Sequence, residues 1–568
     1  MAIFDDKLMV RLNKEKKVAL KAQEKRHEQW NDNYELYRHK VRTNRLTQRQ
    51  AVNIPLMKET IKTLLSKIDD PPSVEFKELS GDREKELIVN QMWEDDYDAL
   101  NLEGIDIQDK KTVLLYGRAF KKLNYAQGML GVNALDVYDV LIDPLVDPLD
   151  IETARFVIHT NIFRSIESVL ADKRYSQGAK NRLKSYLTSE DFLLQSQTDA
   201  EALRKKRERL EAMGVSRSDM DLFPAGDTIL NLSEHYTWRW NKRTKKFERY
   251  VATYVNDTIR LLYEPLKGLI GVDFLPFVSW GEDIETQDFW SDGPADLVRT
   301  PNKVLNVFLS QMIENRTLKN FQMHWYDSTI EGYQPQIFEP GPGVLLPAPG
   351  KPKDVLMPVE VSGLEDVLSQ IDFLIKLVER GTSATAIEKG VSEKKQITLG
   401  EVEMLVGKAM ERTQTMAKSY RRAWKEYAQK WIKLHEANDK GTRTLYKISA
   451  KGTIWPNKIR PSDWKSKAGY RADVRSTSEQ EAEKISGIQK IMAVKSHFPD
   501  NQALQRILQR RVLEIIDLTP EELREVEEEE KKKMAIQPQA LPEEPTPEVA
   551  RLGKQVGEVQ EMLAPEQA

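Results

Sequence analysis

The stretch VEMLVGKAMERTQTMAKSYRRAWKEYAQKWIKL, residues 402–434, decides the architecture. Its positions Val402, Val406, Ala409, Thr413, Met416, Tyr420, Trp424, Tyr427, Trp431 and Leu434 advance by three or four residues almost throughout, the rhythm of one α-helical face. At 1.5 Å per residue a helix over this range is about 50 Å long. That exceeds the need of one ordinary domain, so the helix is expected to span layers or subunits. Its aromatic stripe reads as packing rather than as a cofactor site.

Upstream, residues 382–398 are small and polar and read as a loop. Before it, Ser362-Gly363-Leu364-Glu365 has the form of a capping box, in which the serine oxygen accepts from the N3 amide and the glutamate reaches back to the serine amide. The helix it opens carries Leu364, Val367, Leu368, Ile371, Leu374, Ile375 and Val378, with Gly381 expected as its C-cap. Residues 321–361 hold seven prolines and the aromatics Trp325, Tyr326, Tyr333 and Phe338, so strands and turns are expected there. A further helix precedes them through Val304, Leu305, Phe308, Leu309, Met312 and Ile313, with Pro294 and Pro301 suited to first-turn positions and Thr300 able to cap it. Two helices thus flank a proline-rich lobe.

The N-terminal half alternates helix and strand. Residues 5–50 read as a basic helix with Trp30, Tyr34 and Tyr37 on one packed face; a second helix covers 56–68 and stops at Asp69-Asp70-Pro71-Pro72, after which extended structure is expected. The helix through Val113-Leu114-Leu115-Tyr116 is expected to end at Gly117, with a strand over 120–125. Val137 to Ile142 lead into the turn formers Asp143-Pro144 and Asp147-Pro148. Residues 165–213 read as charged helix, 231–240 and 247–262 as the two arms of a hairpin, and 444–474 as short strands and turns. Helices then run to Leu518, Thr519-Pro520-Glu521-Glu522 caps another, 538–547 is a linker, and Val549, Leu552, Val556, Val559 and Leu563 follow heptad spacing.

Composition narrows the chemistry. The 568 residues include 86 Lys/Arg against 89 Asp/Glu and no cysteine, which removes thiol nucleophiles, iron–sulfur clusters and Cys-based zinc sites. The near balance hides an uneven distribution: residues 1–50 hold 13 basic against 7 acidic groups, and 521–568 hold 6 against 13. The two ends are therefore expected to meet different neighbours. The N-terminus lacks the order of a secretion signal, and no uncharged apolar run reaches the ~18 to 20 residues of a membrane span. Seven scattered histidines include no helical i, i+4 pair, and Gly407-Lys408-Ala409 lacks the Walker spacing, so neither a His-based metal site nor ATP hydrolysis is expected. Asp143, Asp147 and Asp150 read first as turn formers and second as ligands for a hard cation.

Several segments together resemble the portal, or head-to-tail connector, proteins of tailed double-stranded DNA bacteriophages. Thr112-Val113-Leu114-Leu115-Tyr116-Gly117-Arg118-Ala119-Phe120 is similar to that family's passage from helix end to strand, and Asp139-Val140-Leu141-Ile142-Asp143-Pro144 leading to Ala154-Arg155-Phe156-Val157 to its aspartate-proline turn. Leu275-Pro276-Phe277 and Gly293-Pro294-Ala295-Asp296-Leu297 resemble its approach to the first stem helix, and the likeness runs from about residue 25 to 480.

The resemblance implies an α+β, predominantly helical subunit of a ring. Its parts would be a wing over 1–292 of N-terminal helices plus α+β structure, a first stem helix over 293–320, a clip over 321–361 and a second stem helix over 362–381. A tunnel loop over 382–398, a long helix over 399–436, a wing return over 437–480, and a crown with an acidic C-terminal extension over 481–568 would follow. It further implies a ring, normally of twelve subunits, at one capsid vertex of the virion, assembled in the host cytoplasm, without cofactor, metal, membrane or catalysis. Double-stranded DNA would pass through it in packaging and ejection, and terminase, tail adaptors, major capsid and scaffolding proteins would be its partners. Asp366, Asp372 and Glu379 are expected to face the channel, and Thr382, Ser383, Thr385, Glu388, Lys389, Lys394 and Lys395 to form the tunnel loop. Trp325, Tyr326, Tyr333 and Phe338 are the expected partner surface of the clip. Two alternatives stand beside this reading: a carboxylate- and metal-dependent hydrolase acting through the Asp143 region, and a helical protein-binding scaffold without a DNA channel.

Overall fold

The computed structural model describes residues 7–39, 52–68, 72–126, 129–187, 229–320, 324–326, 356–358, 367–382, 399–448, 454–476 and 491. The chain divides into two units, 1–477 and 478–568, and the fold below is that of the first. It mixes helices with antiparallel sheets, as the α+β expectation requires.

Helix α1 (Lys7–Tyr37) is followed by α2 (Leu56–Lys67), β1 (Pro72–Glu78), α3 (Arg83–Ala99) and α4 (Leu102–Tyr116). Strands β2 (Arg118–Ala126), β3 (Met129–Leu135), β4 (Val140–Ile142) and β5 (Phe156–Ser165) lead to α5 (Ile166–Ala171) and α6 (Gln177–Leu187). Then come β6 (Ile229–Asn241), β7 (Lys246–Val255), β8 (Ile259–Pro265), α7 (Leu266–Ile270) and β9 (Phe277–Gly281). The helical region holds α8 (Pro294–Asn320), β10 (His324–Tyr326), β11 (Leu356–Pro358), α9 (Val367–Thr382) and α10 (Leu399–Asn438). Last are β12 (Arg443–Ile448), β13 (Ile454–Ile459), α11 (Pro461–Trp464) and β14 (Tyr470–Ser476).

Strands β4-β5-β6-β7-β8 form one sheet and β3-β2-β9 another, and one apolar cluster fills the space between them. The chain closes on itself where β14 pairs with β1 from Pro72↔Ser476 to Glu78↔Tyr470. From Met416 onward the stripe of α10 packs as its spacing predicts: Met416, Tyr420, Trp424, Tyr427, Trp431 and Leu434 are buried in the larger core with Phe76 and Trp93, while the side chains of Val402, Val406, Ala409 and Thr413 lie outside those described. At 40 residues the helix is about 60 Å long.

Trp30 and Tyr37 are buried and Tyr34 half-buried, the packed face expected of α1, which ends at Tyr37; residues 40–51 lie outside the described residues. Gly117 ends α4 with φ +82, and a Cβ there would lie 1.9 Å from the Ser291 carbonyl oxygen, so only glycine fits.

Three local expectations are corrected. Thr300 is not a cap: α8 begins at Pro294 and runs through Pro301, because Ala295, Val298, Asn302 and Leu305 continue one buried face across the proline. Gly381 does not end α9, which continues to Thr382. The 247–262 strand is two strands, split where Asn256 and Asp257 adopt φ +50 and +56, a turn conformation that asparagine and aspartate tolerate. The helical reading of 165–213 holds for α5 and α6, while 188–228 lie outside the described residues.

Candidate functional site

Helices α8 and α9 form a two-helix stem. They pack on each other, and the chain between them is pinched by β10 and β11, which pair antiparallel with Trp325 opposite Met357. The lobe of 321–361 is therefore closed at its neck by a short ribbon.

The root of the stem is held by polar groups. Asn302 Oδ1, Asn306 Oδ1 and Ser310 Oγ lie four residues apart on one face of α8 and accept from the backbone N–H of Met57 (3.1 Å), Ile54 (2.9 Å) and Val52 (3.3 Å). Each satisfies an amide of the segment entering α2 that would otherwise be left unpaired. Asp296 accepts from the Gly293 N–H (2.9 Å) and from Arg299 (2.6 Å), while Asn33 of α1 donates to Asp296 at 3.0 Å. A Cβ on Gly293 would come within 2.8 Å of the Gly117 nitrogen. The helix-end segment 112–120 and the stem entry 293–297, far apart in sequence, thus meet.

The other quoted segments join the same construction. Arg155 donates through Nε and Nη2 to the Asp143 carboxylate at 2.5 and 2.6 Å. Glu152 Oε1 accepts from the Leu275 N–H (3.1 Å), and the Pro276 carbonyl oxygen accepts from the Leu123 N–H (2.9 Å).

Away from its root the stem emerges from the core. Beyond Leu305 no described side chain of α8 is buried, and in α9 only Val378 and Thr382 are. Ile371, Leu374 and Ile375 pack inward, whereas Leu368, Phe373 and Leu377 are 65%, 66% and 48% exposed, and Val307 and Ile313 of α8 are exposed too. Asp372 is exposed and Glu379 half-buried, one stripe at i, i+7. Thr382 belongs to the helix: its side chain is buried and its hydroxyl donates to the Val378 carbonyl oxygen at 2.8 Å, so a loop starts no earlier than 383. Trp325 and Tyr326 lie in β10. Asp366, Tyr333, Phe338, Ser383, Thr385, Glu388, Lys389, Lys394, Lys395 and the capping box at Ser362 lie outside the described residues, as do the helix cap at Thr519, the linker and the heptads.

Helix α10 is tied to the body by buried charge. Asp106 accepts from the Tyr420 hydroxyl (2.8 Å) and Trp424 Nε1 (3.0 Å) and pairs with Lys110 (2.7 Å); Lys121 pairs with Asp109 (3.1 Å) and lies 3.8 Å over the Trp424 ring. Burial pushes the Asp109 carboxyl up to about 6 against the pull of Lys121. A second set joins Trp431 and His435 to Asp96 (each 3.0 Å), with Asp439 2.7 Å from His435. Burial disfavours the His435 cation, but the hydrogen bonds to Asp439 and Asp96 outweigh it and hold the imidazole above its ordinary range. Lys430 donates to the Phe277 carbonyl oxygen (2.6 Å) and pairs with Glu152 (2.7 Å). Apart from Asp439, which directly follows the helix, none of these partners of α10 is near it in sequence, and no spacing signal in the chain announces them.

The turn aspartates serve their own backbone. Asp143, Asp147 and Asp150 accept from the N–H groups of Leu145 (3.1 Å), Leu149 (2.9 Å) and Glu152 (2.9 Å), the Asx-turn pattern. Among the described residues no three His, Asp or Glu are grouped to hold a metal ion, and no helix is long and apolar enough to cross a membrane.

Comparison with known proteins agrees with this framework. A family model described as the phage SU10 portal protein matches residues 29–564. No curated protein matches the chain.

Proposed function

Because the chain belongs to the phage SU10 portal protein family, we propose that its copies close into a ring at one capsid vertex, through whose channel double-stranded DNA is packaged and ejected. The family is a family of portal proteins and not of enzymes. The observation that carries the ring is the stem, which leaves Leu368, Phe373 and Leu377 of α9 and Val307 and Ile313 of α8 exposed in the single chain. A monomer gains nothing from large apolar side chains on a projecting two-helix hairpin; side-by-side packing of stems removes them from water at about 25 cal/mol per Å². A closed ring of identical copies, twelve by family resemblance, satisfies every such surface with another copy of the chain.

The channel must pass a polyanion without holding it. A lumen lined by many cations would neutralise phosphates, bind the duplex and arrest it. Asp366, Asp372 and Glu379 are the acidic groups proposed to face the lumen. Ser383, Thr385, Glu388, Lys389, Lys394 and Lys395, after the helical Thr382, form the proposed tunnel loop, the lysines touching passing phosphates transiently. The lobe beyond β10 and β11 is the proposed docking site for terminase and tail adaptors, with Trp325, Tyr326, Tyr333 and Phe338 as anchors. The remaining body would be the wing, contacting major capsid and scaffolding proteins, and 481–568 the crown.

Negative-stain imaging of the purified chain tests this directly. Rings with a central channel are expected, and a Leu368→Ser, Phe373→Ser, Leu377→Ser triple variant is expected to yield folded monomers or open arcs. A wild-type chain that stays monomeric at every concentration, or a triple variant that assembles as well as wild type, would sink the proposal. The scaffold alternative predicts assemblies without a channel.

A further inference from the structure

Strands β6 and β7 run past the edge of their own sheet. Strand β6 pairs with β5 as far as Thr237, with the Trp238 N–H still donating to the Arg155 carbonyl oxygen, and β7 pairs with β8 only from Tyr250 onward, so from Arg239 to Glu248 the two strands pair only with each other. At about 3.3 Å per residue this is a ribbon roughly 10 Å long, plus its turn. The turn is built, not slack: Asn241 Oδ1 accepts from the Arg243 N–H (2.9 Å), and Glu248 braces both sides by accepting from Asn241 Nδ2 (2.6 Å) and Thr244 Oγ1 (2.5 Å). Lys245 takes φ +52 to close it.

Two features of the tip have no internal use. Trp240 and Phe247 sit directly opposite each other, their rings 5.2 Å apart and edge to face, yet they are 51% and 67% exposed. Lys242, Arg243, Lys245 and Lys246 are all exposed, and among the described residues none of them makes an ion pair. Four cations and one engaged carboxylate leave the tip strongly positive on a chain whose overall charge is -3.

We propose that the β6–β7 finger is a docking element for duplex nucleic acid, its four cations meeting phosphates and its aromatic pair forming the rigid apolar ridge that seals against the groove wall. Three observations favour a duplex over an acidic protein. A two-stranded ribbon is the width that a major groove admits. The cations are mostly lysine, a residue depleted in protein–protein interfaces but suited to phosphate as a compact charge. They also cluster within five residues of the turn, matching closely spaced charges on one strand edge. The element lies outside the stem and its loop, so the proposal does not depend on the ring or the channel.

The test is fluorescence anisotropy of a labelled 20-base-pair duplex against the full chain from 50 to 250 mM NaCl. Two charge-matched variants are compared with wild type: Lys242→Gln, Arg243→Gln, Lys245→Gln, Lys246→Gln at the tip, and Lys14→Gln, Lys17→Gln, Lys21→Gln, Lys25→Gln on the exposed face of α1. At about 0.9 per phosphate contact, the tip variant is expected to flatten the log–log salt slope by about 3 to 4 and to weaken low-salt binding at least tenfold. The α1 variant is expected to stay near wild type. Should the tip variant misfold, Lys242→Gln with Arg243→Gln is expected to flatten the slope by about 2. Equal losses in both variants, an unchanged slope in the tip variant, or a tip that binds polyglutamate but not the duplex would overturn the proposal, the last result assigning the finger to an acidic protein.

Discussion

Glu282, the first residue after β9, has a carboxylate oxygen that is buried without a hydrogen-bond partner, and its pKa is pushed up to about 7, by burial first and by neighbouring Asp283 second. The folded state therefore holds the proton more tightly than the unfolded chain. A raised carboxyl pKa contributes stability that is fully present below the unfolded value near 4.5 and is lost as pH rises through about 7. Glu282→Gln is expected to be more stable than wild type at pH 8 and to show a flatter change in urea midpoint between pH 5 and 8. Identical pH dependence in the two proteins would refute the assignment. Nothing in the sequence singles out this glutamate among its many exposed neighbours, since its burial is set by the packing around the end of β9. Asp143, by contrast, was legible, because an Asp-Pro turn is local chemistry and the carboxylate answers amides two residues away.

At the scale of elements, the helices were legible wherever one face is buried continuously. The α10 stripe of Met416, Tyr420, Trp424, Tyr427, Trp431 and Leu434 follows from spacing alone, and all six are buried. What holds the stripe in place was not legible: Asp106 of α4 lies more than 300 residues from Tyr420 and Trp424. Removing that carboxylate takes the ion-pair partner at 2.7 Å from the buried Lys110 and the acceptor from two buried donors. Asp106→Ala is expected to destabilise the chain by about 3–5 kcal/mol, and Tyr420→Phe by about 1 kcal/mol, both measured by denaturant unfolding. A loss below about 1 kcal/mol for Asp106→Ala would mean that the network is not a fastening of α10. The ladder of Asn302, Asn306 and Ser310 is not legible in the sequence for the opposite reason. Polar residues four apart look like a solvated helix face until the segment 52–57 is laid against them.

For the whole molecule, the antiparallel neck of β10 and β11 brings the two ends of the proline-rich lobe together. A lobe closed at its neck is removable without stretching the stem, provided a short turn rejoins α8 and α9. Replacing 321–361 by such a turn is therefore expected to leave a folded chain that no longer captures terminase or adaptor in pull-down; undiminished capture would reassign the docking site. The pairing of β14 with β1 has a related consequence, since the chain after α10 returns to the strand that follows α2. Residues before the stem and after it thus form one body, and the stem and lobe read as an insertion between its two halves.

By itself the sequence determined the order of elements: periodicity, proline and glycine act over a few residues, so the helix, lobe, helix and long helix could be traced along the chain, and that order carried the family resemblance which residues 29–564 bear out. Which polar groups are buried, which glycines are crowded and which apolar side chains of the stem and the β6–β7 finger are left facing water is fixed by the folded chain alone. Those properties depend on what a distant segment brings into contact, and burial in a fold has no counterpart in spacing along the chain.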